Sequence, residues 1–531
     1  MSASYKNYLI LILISFNFNS IYLINWKNFI YDKIVKRNEG NLTSLSGLEH
    51  YPDLIEMYLK TNKIESIESI KYLVNLRKVE LSCNKISKID ELSFLTKLED
   101  LEINFNKIKN VTPISFLSNL RILFMKNNFI EDISVLMNLK KLTYLNLANN
   151  RIKLIEVLNG LINLLSLNLS FNFIREIDIS NLTRLTYLNL NKNEIENIES
   201  ITNLHGLNQL FLSHNRINEI DFRKLTKLTE LEMSNNNISS IDSIQRSNNM
   251  QRLDLSSNQI SITKAIENYQ NLNYLDLSNN MIKSIQFKKL QNLRICNVSQ
   301  NELKNIDSIS YLSYLRLVNF SHNKIESIHD ELLMYSKLEI FDIFLNNNSL
   351  KSIEFNYTMN RLANLDLSSN QLEFVKFKYV KQIGYFNLNN NNLNDLNDLN
   401  NISCHSLLDI SNNTFERLEF SNNFNFVRKI RVYDNNRLEK VNGIENLTKL
   451  KFIYLNKYQL NAFQGIRNFR LTNRTHSVFL EALNLDIIDL DNKFDGLCEI
   501  ILKYLSNNLI VNLFSFANVE NFIHTCKLII N

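Results

Sequence analysis

Eight histidines and five cysteines are the residues of this chain best suited to acid–base, nucleophilic or metal chemistry, and their spacing arranges none of it. Cys83, Cys296, Cys404, Cys498 and Cys526 are odd in number and far apart, with no CxxC pair. That pattern argues against a disulfide framework and against a structural zinc site. Cys296 falls at an inward position of an apolar alternation, where a thiol behaves as a small core residue. His214 and His322 stand in the same phrase, LSHN and FSHN, so they occupy a recurrent turn rather than a catalytic cluster. No Gly-rich phosphate loop, HExxH pair or Ser/His/Asp arrangement stands out. The expectation is a chain that is not an enzyme and takes no cofactor, metal or small-molecule substrate. A net charge of +5 without a block of like charge gives no reason to expect nucleic acid or a membrane surface as partner.

What positions residues in this chain is a repeated phrase. Its clearest copy is Leu142 to Leu158, LTYLNLANNRIKLIEVL. Tyr144 to Ala148 alternates as a half-buried strand does, with Leu145 and Leu147 inward and Tyr144, Asn146 and Ala148 outward. Asn150 follows where the chain must turn. An inward amide there can bond the backbone groups of its own turn and of the next coil. Ile152, Ile155 and Leu158 fall three apart and can line a tight return path. One unit cannot bury its own apolar edge, but stacked units bury each other's. Leu54, Leu76, Leu98, Leu120 and Leu142 open successive units at steps of 22 residues. The register continues to Leu450 through about 19 units. With 8 glycines and 2 prolines, no stretch reads as a flexible linker.

This phrase resembles the leucine-rich repeat. Its period and its Ile-x-x-Ile return segment are similar to the class found in a regulatory subunit of protein phosphatase-1 and in bacterial internalins. The resemblance implies an α/β repeat solenoid, a horseshoe with a parallel β-sheet on the concave face and short 3-10 or extended segments on the convex face, capped by helices at both ends.

Three regions are expected. Residues 1–40 precede the array. Lys6 followed by the apolar run Tyr8 to Ile14 looks like the start of a signal peptide over 1–20, or else extends an end cap. Leu23, Trp26, Ile30 and Ile34 have helical spacing and predict a capping helix over 20–37. Residues 41–466 form the solenoid. Residues 467–531 predict a helical C-terminal cap, from Leu497 to Leu505 and Val519 to Cys526. Within the array, a two-residue stretch between Ile343 and Asn348 predicts a bulged turn. Asn435 to Leu438 is one residue long, His405 stands where a leucine belongs, and Tyr458 replaces the turn asparagine.

Function then falls to the outward strand positions, because solenoids bind large partners on such surfaces. The candidate contacts are Tyr58, Glu80, Glu102, Phe124, Tyr144, Tyr187, Phe211, Glu232, Asp254, Tyr433 and Tyr454. Acidic residues followed by aromatics look like the phosphatase-binding surface of the phosphatase-1 regulatory subunit. The middle of the array carries Asp-x-Ser pairs (Asp276/Ser278, Asp366/Ser368, Asp409/Ser411), which match the plain repeat and read as structural. The expected function is a cytoplasmic, monomeric scaffold or regulatory protein docking a protein partner, a protein phosphatase being one candidate. The alternative is a secreted or surface-displayed recognition protein of internalin-like type.

Overall fold

The computed structural model describes residues 24–454, apart from 245–248, 287–288, 307–311, 313, 329–341, 356–361, 378–379, 381, 400–401 and 451, together with 462 and 479–480. The segment 1–20, Leu338, His329, Tyr458, Cys498, Cys526 and the two C-terminal helices expected within 467–531 lie outside the described residues. Phe479–Leu480 is described, as a short strand parallel to Phe452–Tyr454. No helix among the described residues is long and apolar enough to cross a membrane. The chain divides into two compact units, one ending at Asn237 and one beginning at Ile238.

In the first unit each coil contributes a strand of three residues. These run from Glu56–Tyr58 through Lys78–Glu80, Asp100–Glu102, Ile122–Phe124 and Tyr144–Asn146 to Glu230–Glu232. Every neighbouring pair is parallel and in register, so Leu145 lies between Leu123 and Leu167. The central residue of each strand is inward, and Leu142, Leu145, Leu147, Ile152, Ile155 and Leu158 are all buried. Burial of one such side chain stabilises by roughly 1.5–3 kcal/mol relative to leaving it in water. The return paths are single 3-10 turns such as Ser134–Asn138 and Glu156–Gly160. The steps Asn172 to Asn193 and Asn215 to Asn236 are one residue shorter, and their return paths contain no 3-10 turn.

Asn150 closes its own turn by donating through Nδ2 to the carbonyls of Leu147 (3.0 Å) and Ala148 (3.4 Å). It also donates to Met125 O (3.0 Å) and accepts the amide of Ile130 (3.0 Å). The second set belongs to the preceding coil, not to the following one as the sequence suggested. Asn84, Asn106, Asn128 and Asn172 repeat this pattern. Ala148, expected outward, is buried. The strand ends at Asn146 and Asn149 takes φ +53°, so the alternation stops at Leu147.

The N-terminal cap also departs from expectation. Residues 24–37 form one 3-10 turn, Trp26–Phe29, and an antiparallel pair, Ile30–Tyr31 with Ile34–Lys36, instead of a helix over 20–37. Asp32 and Lys33 both have positive φ, as the two-residue hairpin turn requires. The reason is the open sheet edge. Glu56–Tyr58 presents unpaired backbone groups, which a strand can satisfy and a helix cannot. Ile34–Lys36 pairs with it in parallel. Trp26 is buried and donates its indole N–H to Ser46 O (3.0 Å).

The second unit continues the same strand type, from Arg252–Asp254 to Phe452–Tyr454. Four of its return paths carry short strands that pair in parallel two by two, Ser352–Phe355 with Phe374–Phe377 and Arg417–Glu419 with Lys440–Asn442. The rings of Phe355 and Phe377 stack with centroids 4.8 Å apart. The stretch between Ile343 and Asn348 is not a bulged turn. Ile343 and Leu345 are buried, and Asn348 makes the usual ladder bonds to Leu345 O (2.9 Å) and Phe320 O (3.0 Å). The extra residues therefore precede Asp342. His405 does mark an irregularity: Ser403–Asp409 holds one residue more than its neighbour between Cys404 and Leu407. Cys404 fills the interior there, and the His405 ring stacks on Phe426 at 4.8 Å.

Candidate binding face of the sheet

In the three-residue strands of the first unit only the central residue turns inward, so the two flanking residues lie on the solvent face. Tyr58, Glu80, Glu102, Phe124, Tyr144, Tyr187, Phe211, Glu232, Asp254 and Tyr454 all occupy flanking strand positions, and Tyr433 follows the strand Lys429–Arg431. The first unit brings several of them together. Tyr187 and Phe211, on adjacent strands, place their ring centroids 5.5 Å apart. Tyr144 remains 42% exposed between Ile122 and Ser166.

Towards the start of this unit the face is acidic. Asp100 and Glu102 hold Lys78, whose Nζ lies 2.6 Å from Asp100 Oδ2 and 3.6 Å from Glu102 Oε1, and Glu80 stands beside Glu102. The second Asp100 oxygen is buried without a hydrogen-bond partner. The Tyr58 hydroxyl donates to Glu56 Oε2 (2.8 Å), which orients that ring beside Lys78. Burial raises the pKa of the Glu102 carboxyl above the ordinary value, and the neighbouring Glu80 and Asp100 charges raise it further. A group with a raised folded pKa adds stability below its unfolded pKa and loses it as pH rises through the folded value. Glu102→Gln is therefore expected to raise the thermal midpoint near pH 7, with the gain shrinking towards pH 4. Melting curves across that range check it, and a pH-independent effect would contradict the assignment.

In the second unit, the Asp-x-Ser pairs are structural, as their match to the plain repeat suggested. Asp276 Oδ1 accepts both the backbone amide (2.9 Å) and the hydroxyl (2.6 Å) of Ser278. Asp366 does the same with Ser368, and Asp409 with Ser411. Asp409 is also paired with Arg431 (3.2 Å), whose guanidinium lies 5.5 Å from the Tyr454 ring centre. Arg252 lies 3.6 Å over the ring of Tyr274, an aromatic that the sequence reading left out.

Nothing catalytic assembles among the described residues. Cys296 is fully buried, and burial pushes its thiol pKa strongly up. The Cys404 thiol is likewise pushed up to about 12. His214 and His322 take the left-handed turn position in their coils, and His322 Nε2 lies 3.3 Å from the side-chain amide of Asn347. No group of three metal-ligating side chains occurs among the described residues.

Leucine-rich repeat family models match residues 74–116, 96–152, 205–246 and 271–293. No curated protein matches this sequence. Among solved structures, a leucine-rich repeat protein of Leptospira interrogans is 23% identical, covering 63% of this chain and 90% of its own, with a TM-score of 0.57. The Arabidopsis receptor kinase HAESA, solved with a peptide hormone and a co-receptor, is 19% identical over 84% of this chain and 82% of its own, with a TM-score of 0.62. An internalin of Listeria monocytogenes is 25% identical over 58% of this chain and 86% of its own, at a TM-score of 0.49. At these identities the likeness to the Leptospira and Arabidopsis structures speaks to the fold alone. The matched segments, the in-register parallel strands and the asparagine ladder agree on one conclusion: the chain carries leucine-rich repeats and folds as a leucine-rich repeat solenoid.

Proposed function

We propose that this protein is a non-catalytic scaffold or regulatory protein that docks a protein partner on the solvent face of its first unit's sheet. The observation that carries this reading is the paired Tyr187 and Phe211 rings on that face, together with the exposed Tyr144. Aromatic side chains left partly in water add nothing to the core, and they are enriched where binding energy concentrates. The acidic group around Glu102 makes the matching partner one that presents basic residues beside apolar ones. A protein phosphatase catalytic subunit in the cytoplasm is the first partner to test. Affinity purification from lysate should recover a partner with the wild-type chain and lose it with Phe124→Ala plus Tyr144→Ala, or with Tyr187→Ala plus Phe211→Ala. Unchanged recovery with both pairs would overturn the sheet-face assignment. A second reading, a secreted recognition protein, rests on the apolar run after Lys6. Sequencing the N-terminus of the mature protein decides it, since a start at Met1 or Ser2 excludes cleavage.

A further inference from the structure

The rim where each strand of the first unit turns into the asparagine ladder carries a feature that the fold does not need. The residue before each ladder asparagine has positive φ throughout: Thr61, Cys83, Asn127, Asn149, Lys192 and His214 take values between +53° and +58°. Small polar residues, asparagine above all, tolerate this conformation, whereas bulky ones are strained in it. Phe105 (φ +54°) and Phe171 (φ +57°) nonetheless stand at this position. Neither ring is buried in exchange: both remain about half exposed, at 49% and 48%. Phe129 and Phe173, just after the ladder asparagine, are exposed as well, so four phenylalanines stand on three of four successive coils. Strain and exposure are separate costs to folding, and backbone strain retained at rings that stay half exposed points to function.

The same rim is basic. Lys85, Lys107, Lys126, Arg151, Lys192 and Arg216 stand on it; Glu65, Glu131 and Glu194 pair with Lys85, Arg151 and Arg216, whereas Lys107, Lys126 and Lys192 make no ion pair among the described residues. Three of the cations face the rings: Lys126 at 5.8 Å from the Phe105 centroid, Arg151 at 5.0 Å from Phe129, and Lys192 at 4.5 Å from Phe171. Cations held against ring faces leave the ring edges and the remaining ammonium donors to a ligand that is both anionic and apolar. We propose that this rim is a second docking surface, distinct from the sheet face, and that it takes an extended acidic protein segment with interspersed apolar side chains. Glu80 and Glu102 flank the rim on the sheet side, and Glu131 and Glu176 flank it beyond the ladder. A continuous phosphate backbone would run against those carboxylates, while a peptide can place apolar residues opposite them.

The test uses the full chain and three fluorescein-labelled probes in anisotropy titrations: a peptide in which glutamates alternate with leucines, the same peptide with glutamine for glutamate, and oligodeoxythymidine. The glutamate peptide should bind tighter than either other probe. Phe105→Asn plus Phe171→Asn should weaken it by about ten-fold or more, while raising the thermal midpoint, because asparagine relieves the left-handed strain. Tyr144→Ala, on the sheet face, should leave the peptide affinity unchanged, so this proposal and the sheet-face reading fail independently. Absent binding, equal binding of the glutamine peptide, preference for the oligonucleotide, or full affinity in the phenylalanine variant would each overturn it.

Discussion

Asn150→Ala is expected to destabilise the first unit by about 2–3 kcal/mol, read as a lowered midpoint in urea unfolding followed by circular dichroism. The substitution leaves the buried Ile130 amide without its acceptor and removes a donor from the carbonyls of Met125 and Leu147. Water does not reach these groups, so the full desolvation penalty applies. Asn146→Ala, four residues earlier on the solvent face, should cost less than about 1 kcal/mol, because its amide oxygen serves only the half-buried end of the strand. The ladder also predicts coupling. Leu147 O accepts from both Asn150 (3.0 Å) and Asn172 (3.1 Å). Either single variant leaves that carbonyl one donor, and the double variant leaves it none. Asn150→Ala plus Asn172→Ala should therefore cost more than the sum of the singles, by about 0.5–1 kcal/mol. Strict additivity would show that the shared carbonyl matters little.

Gly443→Ala is expected to be at least as damaging, at about 2–4 kcal/mol. Gly443 has φ +73°, and a Cβ there would lie 2.2 Å from the Phe420 carbonyl oxygen. That oxygen accepts the side-chain amide of Asn446 at 2.6 Å, so it is not free to retreat. Gly47→Ala isolates the backbone term. Its φ is +90°, but its nearest foreign atom would be Trp26 Cδ1 at 3.4 Å, an ordinary contact. It should cost only the left-handed penalty of about 1 kcal/mol. Equal losses at the two glycines in thermal melts would contradict the steric account.

The inward half of the repeat was legible in the sequence because it answers to one rule repeated many times. Leu145, Ile152 and Asn150 recur at fixed offsets, and the structure places them where those offsets require. Departures arose where a neighbour overrode the local pattern. Trp26, Ile30 and Ile34 have helical spacing, yet the unpaired edge at Glu56–Tyr58 took a strand. Ala148 continued an alternation that the left-handed Asn149 had already ended. On the binding face, the outward positions followed from period alone, but the partners did not. Nothing in the sequence spacing says that Lys78 gathers Asp100 and Glu102, because those contacts run between coils. The strained phenylalanines were missed for another reason. Phe105 and Phe171 occupy a turn column whose conformation is visible only as a backbone angle. The signal that would have found them is bulk in a column otherwise held by residues such as Asn127 and Asn149.

The ladder also has a direction in time. Ile130 receives its acceptor from Asn150, twenty residues further on, and Ile152 from Asn172. A coil therefore cannot complete its own turn from its own residues. During synthesis, when chains fold from the N-terminal end as they emerge, each turn stays open until the next repeat has left the ribosome. Structure should then advance along the nascent chain in step with translation but one repeat behind it. Chains stalled so that Asn150 is still held within the ribosome, and so that it has just emerged, should differ in protection of the Ile130 amide.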